Sequence, residues 1–147
     1  MPVRVFLAVF LLTAAFSIRA ETGSACVGAA RTQSDLNVCA DAELKRAERE
    51  LDLTYRKVLK TYADDKVFIA RLKKAQRAWL KFRDAELDAI FPHKGKTTYY
   101  GSTFPMCFDN WIVKLTRTRI DALKRWLHGV KEGDVCPGSI RAAAGAR

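Results

Sequence analysis

Three long segments of this chain repeat apolar residues at three- and four-residue steps, which is the period of an amphipathic α-helix. They run from about Asp41 to Tyr62, from about Asp65 to Ile90 and from about Asp109 to His128. No segment shows the alternation of apolar and polar residues that is typical of a strand. Because a very short link makes the first two helices antiparallel neighbours, the pattern predicts an all-α, up-down-up three-helix bundle.

Residues that favour helix ends flank these segments. Asp41 is a predicted N-cap of the first helix, and Asp65 suits the start of the second. Phe91-Pro92 ends the second, because proline disfavours helix at the residue before it. Gly129 is a predicted C-cap of the third. The apolar stripe of the second helix is predicted to contain Phe68, Leu72, Ala75, Trp79 and Phe82.

Two further features lie outside the long segments. A short helical turn is predicted near Thr32 to Val38, with Thr32 as its cap and Asp35 in its first turn. A loop from about Pro92 to Phe108 joins the second and third helices. Loops of this length are often functional.

The first 20 residues have the layout of a cleavable signal peptide. Arg4 precedes an apolar run from Val5 to Phe16, and after Ser17, Ile18 and Arg19 the segment ends at the small residue Ala20. The run is too short to span a bilayer, which takes roughly 20 residues as a helix. We therefore predict a signal peptide over 1–20, one helical domain over 21–140, a flexible tail over 141–147, and a periplasmic or secreted location.

The net charge indicates which partners the chain favours. The whole chain carries +10, and because Arg4 and Arg19 are the charged residues of the first 20, the mature chain carries +8. Such an excess favours anionic partners such as acidic proteins, lipid head groups or lipopolysaccharide. Secretion weighs against nucleic acid, and the oligomeric state is left open by the sequence.

Catalytic and metal-binding motifs are missing from the sequence. It has no nucleophile-elbow serine, no glycine-rich phosphate loop and no paired metal-ligand spacing, and His93 and His128 lie far apart. We therefore predict a protein that is not an enzyme and that uses no cofactor and no metal ion. Four cysteines behind a signal peptide instead indicate disulfides.

Several polar residues interrupt the apolar stripes. Gln76 and Arg83 share a face with Trp79, and Thr116 shares a face with Arg119. A half-buried charge needs a partner, because an unpaired one costs several kcal/mol. The pattern predicts an interhelical polar network, in which the expected carboxylate partners of the two arginines are Glu48, Asp52 and Glu86.

Five blocks of the sequence, taken in order, carry a family resemblance. They are Cys26, Thr32, Asp35 and Cys39; Ala47, Glu48, Glu50, Leu51 and Tyr55; Leu72, Ala75, Gln76, Trp79, Arg83 and Asp84; Gly101, Ser102, Pro105 and Met106; and Leu115, Thr116 and Arg119. The chain thereby resembles the LprI-type lysozyme-inhibitor family, in its N-terminal-domain group of small secreted bacterial proteins. The resemblance implies a non-enzymatic binding protein whose partner is a lysozyme. A basic envelope protein that binds anionic surfaces, or a structural or stress factor, is the alternative.

The resemblance also bears on the disulfides. It implies a Cys26–Cys39 pair, which would leave Cys107 to pair with Cys136; the rival set joins Cys39 to Cys107 and Cys26 to Cys136. The chain departs from the family pattern where many members have two further cysteines, at Leu87 and Trp111. It departs again at Glu48 and Asp52, where the family usually has Asp and Asn.

The long loop is the predicted contact surface of an inhibitor. Exposed tyrosines make good interface anchors, and lysines beside them can meet the carboxylates of a glycosidase cleft. The candidate binding residues are Lys94, Lys96, Tyr99 and Tyr100. The competing interpretation is that Tyr99, Tyr100 and Phe104 close the end of the bundle.

Overall fold

The structure, a computed structural model, describes residues 23–143, so the predicted signal peptide and residues 144–147 lie outside the described residues. It contains five helices in this range and no strand: α1 (Gly23–Ala29), α2 (Gln33–Thr61), α3 (Lys66–Ile90), α4 (Lys96–Tyr100) and α5 (Phe104–His128). The all-α prediction is thereby confirmed for residues 23–143. None of these five helices combines the length and the apolar character needed to cross a bilayer.

Helix α2 begins earlier than predicted and is continuous. Thr32 caps it: its side chain accepts from the Asp35 backbone N–H at 3.1 Å, and the Asp35 carboxylate accepts from the Thr32 N–H at 2.8 Å. The predicted cap is confirmed, but the prediction of a separate helical turn is wrong. No Gly or Pro interrupts the chain between this turn and the first predicted helix, and a nucleated helix propagates. Asp41 is consequently an interior residue that pairs with Lys45 at 2.7 Å, not an N-cap.

Helix α3 has the predicted ends. The Asp65 carboxylate accepts from the Phe68 N–H at 2.8 Å, and the helix stops at Ile90, just before Phe91-Pro92. Its buried stripe differs from the prediction. Phe68 and Leu72 are buried, but Phe82 is 53% exposed, and Leu87 is buried in its place at the far end. The stripe passes through Arg83 rather than Phe82, so Phe82 lies at its edge.

Helix α5 begins five residues before the predicted start. Pro105 lies in its first turn, where a missing N–H costs no intrahelical hydrogen bond. The prediction counted this proline as loop, which is why the start was wrong. Gly129 ends the helix as predicted, with a φ of 73° that favours glycine.

The core lies where α2, α3 and α5 meet. It contains Leu51, Val58, Tyr62, Phe68, Leu72, Ile120 and Leu123, all buried. Helices α2 and α5 make the most extensive contact, and α3 also packs on α5. Asn37 of α2 donates to the carbonyl of Ser102, just before α5, at 3.1 Å. Tyr62, just after α2, donates to the Trp126 carbonyl of α5 at 3.0 Å.

One disulfide is present among the four cysteines. Cys26 and Cys39 are bonded, with their Cα atoms 5.7 Å apart, so α1 is tied to α2 and this pairing is confirmed. Cys107 is half-buried near the start of α5, Cys136 is exposed beyond its end, and both are free thiols. The predicted Cys107–Cys136 pair and the rival set are therefore wrong. Helix α5 is 25 residues long, and at about 1.5 Å per residue its two ends lie far apart.

The segment after α5 folds back onto the α2–α3 turn. Val130 and Ala142 form an isolated parallel bridge. The Arg141 guanidinium pairs with Asp64 at 2.7 Å, and the Arg141 backbone N–H donates to the Tyr62 hydroxyl at 3.1 Å. A flexible tail from residue 141 is thus wrong for residues 141–143, because hydrogen bonds hold them against the helices.

Candidate functional site

An aromatic cluster closes the end of the molecule where α3 meets α5. The Phe91 ring packs against Tyr100 and Phe104, each at 5.3 Å between centroids, and against Phe108 at 5.8 Å. Phe91 is buried, and Tyr100 and Phe104 are half-buried. Tyr100 and Phe104 therefore close this end, as the competing interpretation of the loop expected.

A second aromatic layer faces solvent above this cluster. The rings of His93 and Tyr99 stack at 4.0 Å between centroids, with an interplanar angle of 24°. Tyr99 is 61% exposed, and His93 and Lys94 are exposed beside it. His93 was not among the predicted binding residues, because six residues separate it from Tyr99 and only α4 brings the two rings together.

The four predicted loop residues thus divide into two pairs. Lys96 is half-buried and its Nζ donates to the Phe91 carbonyl, so Lys96 and Tyr100 hold the loop in place. Lys94 and Tyr99 face solvent and are available to a partner. The loop is ordered by the short helix α4, which Gly95 and Gly101 flank.

A polar cluster lies between α2, α3 and α5. The Arg119 Nε donates to the Gln76 Oε1 at 2.9 Å. Arg119 has no carboxylate partner within residues 23–143, so its predicted pairing with Glu48, Asp52 or Glu86 is wrong. Burial is the main reason that the pKa of Arg119 lies below its usual value.

Two buried polar atoms of this cluster have no hydrogen-bond partner among the described residues. They are the Arg119 Nη2 and the Oγ1 of Thr116, a residue that is fully buried. Tyr55 lies beside them and is half-buried, and burial raises the pKa of its hydroxyl. The charges of Arg77 and Arg119 both act on this hydroxyl. The cluster therefore holds a guanidinium charge with no carboxylate beside it within residues 23–143.

Arg83 also differs from the prediction. Its guanidinium pairs with its neighbour Asp84 at 3.0 Å rather than with Glu48, Asp52 or Glu86. It also lies 5.6 Å from the centroid of the Trp79 ring, within the range of a cation–π contact. Trp79 is half-buried against the core. Arg83 and Trp79 form the α3 wall beside Gln76.

The two acidic residues predicted for this network are exposed on α2. Asp52 pairs with Arg56 at 3.0 Å, four residues along the same helix. Glu48 contributes instead to an acidic group around Asp109 of α5. Burial raises the pKa of Asp109 above its usual value, and the charges of Asp41 and Glu48 raise it further, while Lys45 opposes them.

Asp109→Asn is expected to stabilise the protein at pH 7. Because the pKa of Asp109 is raised in the folded state, its ionisation opposes folding at neutral pH, and stability is gained as the pH falls through the folded pKa. The difference between variant and parent should shrink as the pH falls and be smallest below about pH 3, where Asp109 is protonated in both the folded and the unfolded state. Urea unfolding at both pH values measures it, with Asp88→Asn, an exposed acid on α3, as the control. A variant that is less stable than the parent at pH 7 would contradict the assignment.

The basic residues are distributed unevenly over the helices. On α2 and α5 many of them are paired with acids, as in Arg117 with Glu43, and Lys124 with Glu50 at 2.7 Å. On α3 seven basic residues precede the first acid, Asp84. Six of these are exposed and form no ion pair within residues 23–143: Lys66, Arg71, Lys73, Lys74, Arg77 and Lys81.

Comparison with known proteins identifies the family. A family model described as "Lysozyme inhibitor LprI" matches residues 26–123, which include the disulfide, the polar cluster and the loop. The chain is also 36% identical, over 112 residues, to an uncharacterized protein of Rhizobium meliloti (strain 1021), a match that covers 68% of this chain and 77% of the relative. No solved structure matches the chain. Because the family model covers two thirds of the sequence, the chain belongs to the LprI lysozyme-inhibitor family.

Proposed function

We propose that this protein is a non-enzymatic, periplasmic or secreted binding protein that inhibits a lysozyme. The observation that carries the proposal is the family match over residues 26–123, in a family of inhibitors that are secreted or periplasmic. The scaffold is an up-down-up three-helix bundle of α2, α3 and α5. It is supported by the contacts of α2 with α5 along their length and of α3 with α5.

The contact surface in this proposal is the outer layer of the α3–α5 loop. Tyr99 offers an exposed ring that His93 stacks against, so little conformational freedom is lost when a partner covers it. The side chain of Lys94 stands beside this pair and supplies a positive charge. A glycosidase cleft carries catalytic carboxylates, which a lysine at the tip of a rigid loop can approach.

The net charge of the chain limits which lysozymes are favoured. A mature charge of +8 repels a basic lysozyme of the common animal type at long range, and attracts one with an acidic surface. The partner proposed here is therefore a lysozyme whose surface around the cleft is acidic.

Replacing Lys94 and Tyr99 together by serine is expected to weaken inhibition by about 100-fold or more, since central anchor residues each contribute about 2 kcal/mol. Inhibition is measured as the rate at which lysozymes of several types clear a cell-wall suspension. Circular dichroism should show an unchanged helical fold, because both side chains face solvent. The matched control is Lys73→Ser with Lys81→Ser, two exposed lysines on α3. Full inhibition by the Lys94/Tyr99 variant would contradict the assignment of the loop.

A second candidate function rests on the unpaired basic residues of α3. Exposed Val67 and Ala70 lie between Lys66, Arg71 and Lys74, which together line a shallow depression. Clusters of four to eight basic residues of this kind bind anionic membrane surfaces, at about 1 kcal/mol per residue. The same variants distinguish the two functions: the Lys73/Lys81 variant should lose binding to phosphatidylglycerol vesicles, and that binding should weaken steeply with salt.

A further inference from the structure

The guanidinium of Arg119 is an unusual group in this fold because its charge is half-buried and unneutralised. It lies in the middle of α5, and its Nε is bonded to a neutral amide, the Gln76 Oε1, at 2.9 Å. Its Nη2 is buried and donates to no group within residues 23–143. Buried arginines are normally paired with acids, and an unpaired buried charge is strongly destabilising.

Nearby acids do not compensate this charge. Asp52 lies one turn before Tyr55 on α2 and is bonded to Arg56. Glu48 lies one turn further away, near Asp109. Arg83 is bonded to Asp84, an acid of its own helix. Glu86 is exposed on α3 and forms no ion pair within residues 23–143. None of the three carboxylates predicted for Arg119 therefore pairs with it.

The groups around Arg119 suit an anionic acceptor. Thr116 lies one turn before it on α5 and presents a buried, unpartnered hydroxyl. Tyr55 offers a second hydroxyl from α2, and Arg77 lies at the exposed side of the cluster. Hydroxyl and guanidinium donors converge here, and the planar fork of a guanidinium matches a carboxylate in a bidentate geometry.

We propose that Arg119, positioned by Gln76 and flanked by Thr116 and Tyr55, binds the carboxylate group of a small acidic ligand that enters from the side of Arg77. Because Arg119 is half-buried, the proposed ligand is a small molecule rather than a folded partner. The site is separate from the loop surface proposed for lysozyme, which lies at the end of α3. Functional sites often contain a residue that lowers the stability of the free protein, and a bound ligand offsets that loss.

Gln76→Glu tests the proposal without enlarging any side chain. It places a carboxylate at hydrogen-bond distance from the Arg119 Nε. The mature, oxidised variant is expected to melt at a higher temperature than the parent at pH 7, because the buried charge gains an internal partner. A lower melting temperature would show that Arg119 needs no anion, and would overturn the proposal.

Ligand binding is measured on the parent with sodium acetate and sodium N-acetylglutamate as probes, against sodium chloride at the same ionic strength. Both carboxylates are expected to raise the melting temperature and to shift the Arg119 Nε–H signal in NMR spectra in a saturable way. Arg119→Lys should weaken the affinity at least about tenfold, since a lysine cannot form the bidentate pair. Gln76→Glu should abolish the effect, and Arg49→Lys, at an exposed residue of α2, should leave it unchanged. An effect no larger than that of chloride, or one that survives in Arg119→Lys, would overturn the proposal.

Discussion

Tyr62→Ala is expected to lower the free energy of unfolding by about 3–5 kcal/mol, the usual cost of deleting a large buried aromatic side chain. Tyr62 is 1% exposed, and its ring lies 4.5 Å from that of Phe68 and 5.9 Å from that of Trp126, between centroids. Its hydroxyl also links two segments, donating to the Trp126 carbonyl and accepting from the Arg141 N–H. The side chain therefore joins α2 to α3, to α5 and to the C-terminal segment.

Urea unfolding followed by circular dichroism measures this effect. Tyr62→Phe keeps the ring and removes the hydroxyl, so it should cost about 1–3 kcal/mol by leaving buried polar groups unpaired. Tyr99→Ala, at a residue that is 61% exposed, should change stability by less than about 0.5 kcal/mol. A loss below about 1 kcal/mol for Tyr62→Ala would mean that the core does not depend on this residue.

Replacing Cys26 and Cys39 together by serine is expected to lower the free energy of unfolding by about 3 kcal/mol. The two cysteines are 13 residues apart, and a cross-link that closes a loop of about 15 residues restricts the unfolded chain by about that amount. Helix α1 should lose most of its order, because its contacts within the described chain are with α2.

Thiol titration in denaturant provides the control for this prediction. The oxidised parent and the Cys26/Cys39 variant should each show two reactive thiols, from Cys107 and Cys136. The Cys107/Cys136 double serine variant should show none and should unfold like the parent. An equal loss of stability in this second variant, or no thiols in the parent, would show that Cys107 and Cys136 are bonded.

Local chemistry made much of the fold predictable. Thr32 with Asp35, Asp65 and Gly129 each fix a helix end through bonds to residues a few positions away, so the sequence is sufficient to locate them. Pro105 was misinterpreted because proline is compatible with both a loop and a first helical turn. The short turn and the first helix were predicted as separate elements, because no residue between them indicates whether a helix breaks or continues there.

The candidate sites were less predictable because they depend on distant partners. Gln76 and Arg119 were both singled out, but 43 residues separate them, and the sequence does not say that an amide rather than a carboxylate faces the guanidinium. For Arg83 the predicted partners were Glu48, Asp52 or Glu86, whereas the observed partner is the next residue, Asp84. In the loop, Tyr99 is exposed and Tyr100 is half-buried because both lie on the short helix α4. Five residues are too few to show a helical period in the sequence.

Different kinds of bond hold the two ends of α2, so different conditions weaken each of them. A covalent bond to α1 holds the beginning of the helix, whereas the exposed ion pair between Arg141 and Asp64 holds the turn after its end. A reductant would break the disulfide and leave the ion pair formed. Concentrated salt would weaken the ion pair and leave the disulfide intact. Outside the cell, where thiols are oxidised and salinity varies, the disulfide at the N-terminal end of α2 is the bond that persists.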